Sequence, residues 1–209
     1  MKKGVAKVME RNIMQDLIQW KDMTANRMPL VLYGVRQVGK TYILQELGDR
    51  FFGNTIYVNF ERMNVVAEYF QGELSPDRII RLLEEYFGQK IVPGRTLIIF
   101  DEIQACERAL TSLKYFCEEA PEYHIAAAGS LLGVAINREK YSFPVGKVIM
   151  KTLYPLRFDE FLRAVGKAYF IDLILEHFAG MAAMPADIHQ EILEWYYSLK
   201  SRIILYTGE

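Results

Sequence analysis

The chain is poor in the features that mark several protein classes. Two cysteines in 209 residues, Cys106 and Cys117, cannot build a disulfide framework. Read as members of one helix, they lie about 16 Å apart along its axis, beyond the roughly 7 Å that a bridge allows between Cα atoms, so both are expected to be reduced. The three histidines, His124, His177 and His189, are scattered without a zinc-binding spacing. No run approaches the roughly 18 apolar residues that span a bilayer, because the most apolar stretch, 125–136, is broken by Gly129, Ser130 and Gly133. The basic residues at the start are not followed by an apolar segment, so no secretory signal is read, no membrane partner is expected, and the cytoplasm is the expected location. A surplus of one charge is also missing. Lys+Arg 25 against Asp+Glu 26 gives a net charge of −1, which does not indicate nucleic acid as a partner.

What is present is a core-forming composition: 51% hydrophobic and 13% aromatic residues, enough for one domain with an appendage. Gly and Pro divide the chain into alternating helical and strand-like segments, the α/β signature. An amphipathic helix is read from about residue 5 to 23, carrying Val8, Ile13, Leu17, Ile18 and Trp20. Strands are read at Pro29–Tyr33, Thr55–Phe60, Thr96–Phe100, Tyr123–Ala128 and from about Val145 to Thr152. Between them lie a helix from Lys40 to Leu47, stopped by Gly48, and a helix from Ser75-Pro76 to Phe87. A further helix carries the stripe Ile103, Cys106, Leu110, Leu113 and Cys117. Beyond Pro155 a helical region runs toward Ser198, and Ile203–Glu209 reads as the start of another strand or turn.

Gly34-Val35-Arg36-Gln37-Val38-Gly39-Lys40-Thr41 matches G-x-x-x-x-G-K-[ST] between a strand and a helix, the context that pattern needs to cradle phosphates. Its glycines let the backbone curl around an anion with a helix dipole behind it. Lys40 would reach the β- and γ-phosphate oxygens, and Thr41 would place its hydroxyl on Mg²⁺. These eight residues, with Tyr42 next in line, are the candidate nucleotide-binding set. Arg36 and Gln37 are either solvated loop positions or direct contacts. Leu97-Ile98-Ile99-Phe100-Asp101-Glu102 supplies four apolar residues and then two acids: Asp101 to hold Mg²⁺ through water with Thr41, and Glu102 to polarise an attacking water. The competing reading is that both acids cap the next helix. An acid in the second position suits a hydrolase rather than a kinase. It belongs to the additional-strand catalytic-glutamate arrangement, in which by elimination Tyr123–Ala128 is the inserted strand. Ser130 then emerges beside the γ-phosphate as a sensor, or caps the segment from Leu131. Glu102, Lys40 and Ser130 are the candidate catalytic residues. Glu61 is either a surface acid or a restraint on Glu102, and His124 reads as a packed histidine.

GVRQVGKT, LIIFDEIQ, AAAGSLLG and FPVGKVIMKTLYPLRFDEFL, in this order, resemble the prokaryotic AAA-type ATPases whose full-length members carry a second, C-terminal domain of unknown function with a nuclease-like fold. The resemblance implies a three-layer α/β/α P-loop fold with a parallel sheet of order 5-1-4-3-2. It implies ATP with Mg²⁺ as ligands and the site residues named above. The ATPase core would occupy residues 1–155 and a helical appendage 156–209, with Tyr206–Glu209 falling where full-length members turn into their second domain, so the chain is expected to be truncated there. Lys147 stands after Gly146, where related sequences often have an arginine. Arg138, Arg157 and Arg163 are all open as an arginine donated between subunits, and a homo-oligomer or a protein partner is open with them. The expected function is Mg²⁺-dependent hydrolysis of ATP to ADP and phosphate. The alternative is a nucleotide-gated interaction module with negligible turnover.

Overall fold

The computed structural model describes residues 10–130 and 144–207, which form two compact units. The larger unit, residues 13–153, is built on five strands: β1 Leu30–Tyr33, β2 Asn54–Asn59, β3 Thr96–Asp101, β4 His124–Gly129 and β5 Ile149–Thr152. All neighbouring pairs are parallel and the order is β2-β3-β4-β1-β5, the expected order read from the opposite edge, with β4 inserted between β1 and β3. Parallel strands covered on both faces need apolar side chains at every position, and β3 and β4 are buried throughout. Alternate residues serve opposite layers. Val31, Ile98, Phe100, Ile125 and Ala127 face a core shared with α3 (Asn64–Glu68), α4 (Pro76–Phe87) and α5 (Glu107–Glu119). Leu30, Leu32, Leu97, Ile99, Ala126 and Ala128 face α1 (Ile13–Asp22) and α2 (Lys40–Phe51).

Local expectations change at several points. The helix expected from about residue 5 is found at Ile13–Asp22 and does not include residues 10–12; residues 1–9 lie outside the described set. The fifth strand begins at Ile149, because residues 145 and 146 form a turn with Gly146 at φ 72°. The stripe from Ile103 to Cys117 is not one helix: Ile103–Ala105 is a 3₁₀ turn and Cys106 is an extended N-cap (φ −132°), so α5 starts at Glu107. Both cysteines are free thiols, and burial raises the pKa of each.

Gly48 does not stop α2, which continues to Phe51. The glycine serves a close approach instead, since a Cβ there would lie 2.3 Å from the Thr55 hydroxyl oxygen on β2. Gly48→Ala should therefore destabilise the unit by about 1–3 kcal/mol despite the better helix propensity of alanine. Thr55→Ala in the same chain should recover part of that loss, as read from denaturant midpoints.

His124, at the start of β4, is buried between the rings of Trp20 and Phe52. Its Nε2 lies 3.0 Å from the Lys21 carbonyl, which can only accept, so Nε2 carries the proton. Nδ1 meets no partner among the described residues, and burial lowers the pKa from 6.5. The folded state thus favours neutral imidazole, and the unfolded state binds more protons below about pH 6.5. Stability from this site is complete above that pH and is lost as pH falls toward the lowered value. In thermal melts between pH 8 and 5, His124→Gln, which keeps a donor but does not titrate, should show a shallower acid decline.

The smaller unit, residues 10–12 with 154–207, holds α6 (Phe158–Ala164), α7 (Tyr169–Ala179) and α8 (Ala186–Thr207). The helix reaches Thr207 where a strand or turn was expected. Leu162, Phe170 and Ile192 are its buried centre. The Glu160 carboxylate is buried and accepts from the backbone N–H of Asn12 (2.7 Å) and of Arg157 (2.9 Å), with Arg11 Nε at 3.1 Å. Arg157 and Arg163 both pair with Asp159, which gives them a local role, and Arg138 lies outside the described residues. No helix among the described residues is long and apolar enough to cross a membrane.

Candidate nucleotide site

β1 lies inside the sheet, so the segment after Tyr33 emerges at the carboxyl ends of the strands, where open parallel sheets bind ligands. Gly34 passes close to the chain leaving β5: a Cβ would stand 2.3 Å from the Leu153 carbonyl oxygen, and the Leu153 N–H donates to the Tyr33 carbonyl at 2.8 Å. Two left-handed residues, Gln37 (φ 60°) and Gly39 (φ 96°), curl the loop before α2 begins. Such turns direct successive N–H groups into an anion-sized hollow at a helix N-terminus.

Lys40 is 7% exposed, and its ammonium donates to the carbonyls of Gly34 and Val35, each at 2.9 Å. Burial lowers its pKa, while Glu102 and Asp101 pull it upward. The Thr41 hydroxyl donates to Asp101 Oδ2 at 2.9 Å, joining the phosphate loop to the end of β3 across 60 residues. Asp101 is 3% exposed and accepts two further bonds: from the Tyr57 hydroxyl to Oδ2 (2.6 Å) and from the Glu102 N–H to Oδ1 (3.1 Å). Glu102 is left-handed at φ 49°, and its Oε2 accepts from Gln104 Nε2 at 2.5 Å. A non-glycine residue in this conformation is uncommon enough to mark a constrained position.

A cavity of about 580 Å³ opens here, lined by Arg36, Gln37, Gly39, Lys40, Thr41, Tyr42, Glu61, Glu102 and Ser130. The volume suits a small-molecule ligand. The structure thus brings together most of the residues selected from the sequence. Gly34, Val35, Val38 and Asp101 do not line it. Val35 contributes its carbonyl to Lys40, Val38 packs against the α1/α2 core, and Asp101 is buried under Thr41. Ser130 closes β4 at the cavity wall, while the cap it might form for Leu131 onward lies outside the described residues. Glu61 reaches the lining, but the hydrogen bond to Glu102 comes from Gln104. Lys147 is paired with Glu118 at 2.9 Å.

Tyr57 and Asn59 are the site residues that sequence reading missed. The one signal was their alternation in TIYVNF, which sets both on the same face of β2.

The donor set fits Mg²⁺ arriving with a triphosphate. One hydroxyl and one carboxylate suit an ion that keeps several waters and takes its other ligands from phosphate, and the described residues contain no cluster of three or more His, Cys, Asp or Glu.

A family model described as an AAA domain matches residues 26–162. An uncharacterized protein of Methanocaldococcus jannaschii is 28% identical over 159 residues, and the chain, matched over 76% of its own length, spans 32% of that curated relative. Among solved structures, a Walker-type ATPase of Pyrococcus abyssi aligns with a TM-score of 0.50 at 15% identity, covering 88% of this chain and 63% of that one. Cdc6p of Pyrobaculum aerophilum aligns at 0.48 and 15% identity, over 81% of this chain and 52% of its own. At such identity the first of these shows the fold alone.

Proposed function

The chain belongs to the AAA domain family, and on that footing we propose that it binds ATP with Mg²⁺ at the carboxyl ends of β1 and β3 and hydrolyses it to ADP and phosphate. The observation that carries this reading is the 2.9 Å bond between Thr41 and Asp101 beside an ammonium that donates to loop carbonyls. Lys40 exchanges those two neutral acceptors for charged phosphate oxygens, which form the stronger bonds. Thr41 and Asp101 are the residues that would hold Mg²⁺, which when bound neutralises charge on the β- and γ-phosphate oxygens. Glu102 has one oxygen held by Gln104; the other accepts from a water and sets it in line with the γ-phosphorus. Ser130, which also lines the cavity, donates to the phosphate that departs.

Steady-state phosphate release tests the reading. Many turnovers per chain are expected with ATP and Mg²⁺, and none in EDTA. Nucleotide retained one per chain with no release would turn the conclusion to a nucleotide-gated interaction module.

A further inference from the structure

β2 is the sheet's edge strand beside β3, and the register places Asn59 opposite Asp101, with Tyr57 two residues earlier on the same face. The Tyr57 hydroxyl meets Asp101 Oδ2 at 2.6 Å, the oxygen that also accepts from Thr41. Asn59 determines which way that bond runs. Its Oδ1 accepts the backbone N–H groups of Glu61 and Arg62, both at 3.1 Å, so its amide nitrogen is the end turned to the Tyr57 oxygen, at 3.3 Å. A phenol oxygen that already accepts from an amide sends its hydrogen the other way, to the carboxylate.

From this arrangement we infer that Tyr57 is a positioning residue for Mg²⁺: it holds the Asp101 carboxylate in the orientation the ion requires. The inference rests on the nucleotide reading above. Asp101 is gripped from three sides, by α2 through Thr41, by β2 through Tyr57 and by its own chain through the Glu102 N–H. When the Thr41 hydroxyl turns from Asp101 to the metal, Tyr57 and the Glu102 N–H remain and keep the carboxylate from rotating. Without the phenol that orientation must be restored each time the ion binds, so the loss falls on metal affinity and not on the phosphate contacts of the loop.

Tyr57→Phe keeps the ring and removes only the donor. The Mg²⁺ concentration for half-maximal turnover should rise about tenfold, a typical cost of removing a hydrogen bond that orients a metal ligand. The turnover rate at saturating Mg²⁺ and the affinity for a non-hydrolysable ATP analogue in EDTA should match the parent, while the melting temperature falls by a few degrees, as the loss of one charge-assisted hydrogen bond to a buried carboxylate requires. Calorimetry of the same analogue with and without Mg²⁺ should show the Mg²⁺-dependent gain in affinity shrinking by a similar factor, a readout that needs no turnover. A variant whose turnover falls equally at all Mg²⁺ concentrations, or whose melting temperature drops with an unchanged Mg²⁺ response, overturns the assignment. A parent protein whose affinity for the analogue ignores Mg²⁺ removes the functional reading and this inference together; a responsive parent with an equally responsive Tyr57→Phe removes this inference alone.

Discussion

Glu102→Gln should bind ATP within about threefold of the parent and lose turnover by about 10²–10⁴, the range associated with a positioned acid–base group. The separation of the two effects follows from geometry. The affinity-determining contacts lie on the loop and on Lys40 and Thr41, whereas Glu102 follows β3 and is bonded to Gln104. Glutamine has nearly the same volume and the same rotamers, so the left-handed backbone at φ 49° is not further strained. The negative charge and the capacity to accept a proton from water are removed together, while the contacts of the loop with phosphate stay in place. Filter-binding or calorimetric affinity measured beside phosphate release separates the outcomes, and turnover equal to the parent would remove Glu102 from the mechanism.

Lys40→Met should lower affinity for ATP by about 10²–10⁴, on the basis of two charge-assisted hydrogen bonds of roughly 1.5–3 kcal/mol each. Methionine preserves most of the apolar stem, which sits in a position only 7% exposed, so the change is confined to the ammonium. Burial already disfavours the charge, as the lowered pKa shows, and the two carbonyl contacts hold it until phosphate arrives. The folded protein therefore loses little by its removal, while the triphosphate loses its principal counter-charge. Equal denaturant midpoints together with a collapsed affinity, measured by titration with a fluorescent ATP analogue, are the expected pair of results.

The site was legible wherever chemistry and local geometry coincide. GVRQVGKT combines a left-handed glycine, a lysine and a hydroxyl within one strand-to-helix turn, so eight consecutive residues state most of the geometry. The buried run before Asp101 was equally plain, since a strand apolar at every position must be covered on both faces. The sheet order, by contrast, came from a family resemblance; burial patterns tell which strands are central but not which central strand neighbours which. Gly48 misled because a glycine in a helical pattern reads as a terminus, while its real reason, the Thr55 side chain, belongs to the next strand. Cys106 misled because its spacing fits a helical stripe although the tight turn after Glu102 places it before the first helical residue. Tyr57 lay out of reach: its partner is 44 residues away, and only the pairing of β2 with β3 brings the two together.

The buried Glu160 has an architectural consequence. Two of its partners, Arg11 by charge and Asn12 by its N–H, come from the chain before the sheet and the third, Arg157, from the chain after it, so the helical unit is closed by segments separated by 148 positions at Asn12 and Glu160. The nucleotide-binding sheet is thus a nested insert, carried between the two halves of its host. A peptide cut to begin at Tyr154 would bury a carboxylate stripped of most of its partners, at a cost of several kcal/mol on the order of 3–5. Transplanting the helices as a contiguous cassette would fail for that reason, and a graft that carried residues 10–12 alongside them would be the smallest transferable piece.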